Sequence, residues 1–153
     1  MPRDTLAVMH LAFLAFWGGV VAAESVLELT ALRRPQSRET VIRLHFWIDV
    51  IIELPAIAAV TLSGACLLLQ AWPPTLLHVI KLGCVAVPIV ANLTCITLVI
   101  KRFRSMAAGA MPSGALGDTR RIVMTAVVGL PFALAGACVG LLLAARRMAQ
   151  GLP

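Results

Sequence analysis

This chain carries little charge. Only 13% of its 153 residues are Asp, Glu, Lys or Arg, whereas 60% are hydrophobic, and the mean hydropathy is +0.95. A soluble domain carries about 25% charged residues because its surface faces water. So little charge excludes a water-coated globule, and lipid must cover the remainder. Cysteine pairing is missing too: Cys66, Cys84, Cys95 and Cys138 all fall in apolar stretches, with no CxxC spacing. That argues against a disulfide framework or zinc knuckle and reads the thiols as small apolar packing groups. Nor is there a Walker loop, a Rossmann glycine pattern, His-Glu-x-x-His or Gly-x-Ser-x-Gly, so no soluble-enzyme motif offers itself.

What is present are four long apolar runs, Leu6–Leu32, Val41–Ala71, Leu76–Ile100 and Ile122–Ala145. Each exceeds the ~20 residues that carry a helix across a ~30 Å hydrocarbon layer. The runs are continuous rather than alternating, which disfavours a membrane barrel. The first is too long for a cleaved leader, holds Glu24 and Glu28, and lacks a small-residue cleavage pattern, so it reads as a retained helix. The expectation is one domain over 1–153: an all-α, up-and-down bundle of four transmembrane helices with short turns between neighbours.

The pI near 10 does not point to nucleic acid, because the bases cluster by position. Arg33, Arg34, Arg38 and Arg43 flank the first loop; Lys101, Arg102, Arg104, Arg120 and Arg121 flank the third; the second, 70–75, has none. The positive-inside rule then puts loops 1 and 3 in the cytoplasm and both termini outside, as in a bacterial inner membrane, although Arg146 and Arg147 fall on the opposite side. Ala107–Gly117, rich in Ala, Gly, Ser and Pro, reads as a mobile linker. Pro55, Pro88 and Pro131 are expected to kink their helices. Gly129, Ala133, Gly136, Gly140 and Ala144 form a small-residue seam that suits close packing, within the chain or in a homodimer.

Against this background the polar residues stand out. Four of seven acids (Glu24, Glu28, Asp49, Glu53), all three histidines (His10, His45, His78) and Lys81 lie within the apolar runs or at their ends. A charged side chain at mid-membrane costs about 2.5–3.5 kcal/mol on insertion scales, so it calls for a partner or a task. His10, Trp17, Glu24 and Glu28 fall within about 40° on the first helix; His45, Asp49 and Glu53 span about 80° on the second; His78, Lys81 and Asn92 lie within about 60° on the third. All three stripes should face the bundle interior. Depth, counted from the first loop, puts Glu28 about 6 Å in beside His45 and Asp49, with Glu24 and Glu53 about 15 Å in.

Two sites follow. Glu24, Glu28, His45, Asp49 and Glu53 form an inner cluster suited to a transition metal (Fe, Cu, Zn or Mn), since crowded carboxylates need a cation or protons. His10, His78 and Lys81 form an outer cluster, where two histidines could ligate haem b or frame a porphyrin-like ligand. The plainer alternatives are that Glu28 pairs with Arg33 or Arg34, that Lys81 neutralises Glu53, and that His78 caps the third helix. Three functions are compatible: a metal- or haem-binding membrane protein with a redox role, a transporter or channel for divalent metal or protons, and a stabilising subunit of a larger membrane complex.

The phrases Thr61-Leu-Ser-Gly and Leu77-His-Val-Ile-Lys-Leu, with His10 and Trp17-Gly18-Gly19, cover the first 100 residues or so. They resemble a group of small four-helix inner-membrane proteins that includes the haem-dependent protoporphyrinogen IX oxidase family and the copper-resistance membrane domain. The resemblance implies a membrane oxidoreductase with His10 and Lys81 near haem or substrate. The His-x-x-Lys spacing and the acidic cluster depart from the oxidase pattern.

Overall fold

In the computed structural model, which describes residues 1–109 and 115–149, four long helices follow one another. They are α1 (Arg3–Arg33), α2 (Arg38–Leu69), α3 (Leu76–Ala107) and α4 (Ala115–Ala149). No strand occurs among the described residues. All four are long and apolar enough to cross a membrane. Their outward faces carry Leu11, Phe16, Val26, Trp47, Ile51, Leu62, Val90, Val127, Leu134 and Leu141, all largely exposed, as lipid-facing surfaces would be.

The helices overrun the apolar stretches at most ends. Charged residues extend them rather than stop them, because Lys, Arg and Glu are good helix formers. Asp4 lies in the first turn of α1 and Arg33 in its last, each complementing the helix dipole. A short 3₁₀ turn, Pro35–Ser37, reverses the chain into α2. At the start of α3, the backbone N–H of Thr75 donates to His78 Nδ1 at 3.2 Å, which is the reciprocal half of a capping box. Of the linker expected over Ala107–Gly117, 110–114 lies outside the described residues, and α4 already begins at Ala115. Helices α3 and α4 run on through Pro88 and Pro131.

α2 contains one irregularity. Across Asp49–Glu53 the backbone widens into a π-turn, with the Leu54 N–H reaching back five residues to the Asp49 carbonyl. Pro55, which has no N–H to donate, follows at once.

Packing places α1 beside α2 and α4, and α3 beside α4 and α2. The small-residue seam of α4 is spent within the chain. A Cβ at Gly136 would stand 2.9 Å from Val85 Cγ2, so the missing side chain there lets α4 lie close on α3, and a Cβ at Gly129 would be in ordinary contact with Pro88 and Ala91. Two apolar clusters complete the interior: Trp17, Ala56, Ile57, Val60 and Ile96 around the middle, and Cys95, Val99 and Ile122 between α3 and α4. Cys95 is thus a packing residue, whereas Cys66 and Cys138 face outward.

Candidate functional site

The five residues of the inner cluster converge as their helical phases require. Glu24 and Glu28 are one turn apart on α1, and His45, Asp49 and Glu53 are successive turns of α2. At a uniform 100° per residue, each four-residue step overshoots a full turn by about 40°. The π-turn winds less per residue, so it returns Glu53 toward the face that carries Asp49. None of the five is more than 5% exposed.

Within the cluster the roles differ. Glu28 is saturated: Arg102 of α3 donates Nη1 to its Oε2 at 3.0 Å and Nη2 to its Oε1, and His45 Nδ1 meets Oε1 at 2.5 Å. A forked arginine–carboxylate pair of this kind fixes geometry as well as charge. Arg102 Nη1 also donates to Thr119 Oγ1 at 3.0 Å, tying the start of α4 into the network. Glu28 therefore serves as an anchor for the imidazole, and its partner is neither Arg33 nor Arg34.

With Nδ1 held by Glu28, His45 turns Nε2 toward two of the three remaining acids. Asp49 Oδ1 lies 3.3 Å from it and Glu24 Oε2 3.9 Å. These are ion-pair distances without hydrogen-bond geometry: both oxygens of Asp49 and Oε1 of Glu24 are buried with no hydrogen-bond partner among the described residues. One ligand atom each from Glu24, His45 and Asp49 lies within 4.8 Å of the other two. Buried polar atoms are almost always satisfied, so three orphan carboxylate oxygens in one triad, of which Asp49 Oδ1 lies 3.3 Å from the imidazole Nε2, require an explanation.

Glu53 sits apart from this triad. Its Oε1 accepts from Trp17 Nε1 at 3.2 Å and from Asn92 Nδ2 at 2.5 Å, drawing α1, α2 and α3 together. Lys81 is not its counter-charge. The Lys81 ammonium instead lies over Gly140 of α4, where an added Cβ would stand 3.1 Å from Nζ.

The outer histidines have local partners. Ser63 spends its hydroxyl proton on the Ala59 carbonyl at 2.7 Å, so it accepts from His10 Nδ1 at 2.9 Å. Gly64 makes room for that ring, since a Cβ there would come within 3.1 Å of His10 Cε1. This gives the Thr-x-x-Gly phrase of α2 a physical meaning. His78 caps α3 through Thr75, the plainer of the two sequence expectations. The structure thus brings the inner five together and gives the outer histidines separate tasks.

Arg102 and Thr119 are the residues that sequence reasoning missed. Arg102 was grouped with the loop-flanking bases, yet it is 2% exposed. Its signal lay in phase: Pro88, Asn92, Cys95, Val99 and Arg102 follow at alternating four- and three-residue steps, the inward stripe of α3.

A narrow cavity adjoins the triad. Glu24, Glu28 and His45 line it with Asn92 and Cys95 of α3, and Val21 and Ser25 of α1 face Ile122, Val123 and Ala126 of α4 across it. Comparison with known proteins returns no relative for this arrangement: no family model matches the chain, and neither a curated protein nor a solved structure matches it.

Proposed function

We propose that this chain is an integral membrane protein that holds a divalent transition-metal ion inside its helical bundle, through Glu24, His45 and Asp49, and puts it to a redox use. The basic residues around the first and third turns favour a cytoplasmic position for that end of the bundle. One observation carries the metal reading. Three buried carboxylate oxygens of Glu24 and Asp49 have no hydrogen-bond partner among the described residues, and they belong to the same triad as an imidazole nitrogen whose ring is already oriented from behind. Metal-ligating histidines are typically braced in this way, the far nitrogen bonded to a carboxylate. Two adjacent carboxylates in an apolar interior are stable only with a cation between them or a proton on one.

The donor set of two carboxylates and one imidazole suits Fe, Mn or Zn better than a thiol-seeking ion, and of these Fe and Mn can serve a redox use. Three protein ligands leave coordination positions open, the pattern of working rather than purely structural sites. The outer cluster supports a haem less well, because His10 and His78 bond separate partners, Ser63 and Thr75, and no group of three or more ligand side chains converges there among the described residues. A through-path for ions has less support too, because Ala56, Ile57 and Val60 separate Ser63 from Glu53 along α2, with Phe13, Leu14 and Trp17 opposite.

The test is the metal content of the detergent-purified protein, followed by cobalt(II) titration read in the visible spectrum. A single ion per chain is expected, lost in the Glu24→Gln, Asp49→Asn double variant and kept in Glu53→Gln. Wild-type stoichiometry in the double variant would overturn the assignment.

A further inference from the structure

The walls of the cavity beside the triad differ sharply from its floor. The floor is made of Glu24, His45 and the Glu28 anchor, all buried. Toward the outside of the bundle it is bounded by Val21 and Ser25 on α1 and by Val123 and Ala126 on α4, each only partly buried. These four residues carry no charge and stand at the seam between two apolar helices, on a surface that the preceding reading assigns to lipid. Among the described side chains of α4, no basic or acidic one lines the cavity.

Resting on the metal reading above, we propose that this seam is a lateral port. Through it a small uncharged molecule of the dioxygen class passes from the hydrocarbon phase to the open coordination position beside Glu24 and His45. The chemistry of the walls selects the class. A charged substrate would shed its hydration shell against Val21, Ile122, Val123 and Ala126 with little to replace it. A diatomic gas carries no such penalty, dissolves readily in hydrocarbon, and needs only a narrow passage. Toward the Arg-rich end lie the Arg102–Glu28–Thr119 network and the Phe46–Phe103 stack, with ring centroids 4.0 Å apart.

Nitric oxide is a usable probe, because it binds high-spin iron(II) and gives a characteristic electron paramagnetic resonance signal. The full chain, loaded anaerobically with iron(II) in detergent or nanodiscs, would be mixed with nitric oxide and followed by stopped-flow absorbance. Two plugs on opposite helices, Ser25→Phe and Ala126→Phe, are compared with Leu141→Phe on the outward face of α4. The plugs should bind iron as the wild type does while slowing nitric oxide capture about tenfold or more, with Leu141→Phe unchanged. Iron stoichiometry serves as the folding check for each plug, and one folded plug suffices. Unchanged capture in a folded plug overturns the port, as does a wild-type iron site that takes azide but not nitric oxide. A wild-type protein that binds no metal overturns the metal reading and the port together.

Discussion

The two ends of the bundle hold the same kinds of residue and treat them differently. Near the Arg-rich turns, His45 is wholly enclosed, one nitrogen fixed by Glu28 and the other facing Asp49 Oδ1, which has no hydrogen-bond partner among the described residues. At the opposite end, His10 and His78 are only partly buried and each answers a neighbouring hydroxyl. The first arrangement stores electrostatic cost; the second relieves it. A polar residue in an apolar helix therefore indicates function only when its hydrogen bonds are left incomplete, and position alone does not reveal that.

The contrast can be broken most forcefully at Arg102. Replacing it by Met leaves Glu28 buried without its counter-ion, and unfolding in detergent should show a loss of about 3–5 kcal/mol. Adding Glu28→Gln should recover part of that loss, and a double variant no better than Arg102→Met alone would mean that the pair is not the source. Next in size, Glu24→Gln should weaken metal binding by about 100-fold or more while leaving the metal-free protein as stable as before, or more so. Equal metal affinity in calorimetry would remove Glu24 from the ligand set. Glu28→Gln, acting through His45, should cost about 10–100-fold in affinity without changing stoichiometry. The smallest effect belongs to the other end: His78→Ala should lower stability by about 1 kcal/mol through the lost cap and leave metal content untouched. A change in metal content there would show that the two ends are coupled.

Much of the fold was legible because membrane-length apolar runs admit few structures. The inward phase of Glu24, Glu28, His45, Asp49 and Glu53 was legible for the same reason, as periodicity alone fixes which residues share a face. Three things were not. Arg102 looked like a loop flank because apolar character ends at Ile100, whereas the helix continues to Ala107. The π-turn depends on how α2 relaxes around Pro55 and the acids, which no uniform angular projection contains. The division of labour among the carboxylates, with Glu28 as anchor and Glu53 as a tie to Trp17 and Asn92, depends on which donors arrive from other helices. The small-residue seam was visible, but whether its partner was α3 or a second chain could be decided only by the packing at Gly129 and Gly136.

The apolar layer around Ile57 and Val60 has an electrical consequence. In an energised bilayer the potential falls mainly across whatever is least polarisable, and that layer holds no ionisable group between Ser63 and Glu53. An ion held by Glu24, His45 and Asp49 would then sit at nearly the potential of the Arg102 end. Its occupancy should follow the composition of that compartment and respond little to membrane voltage.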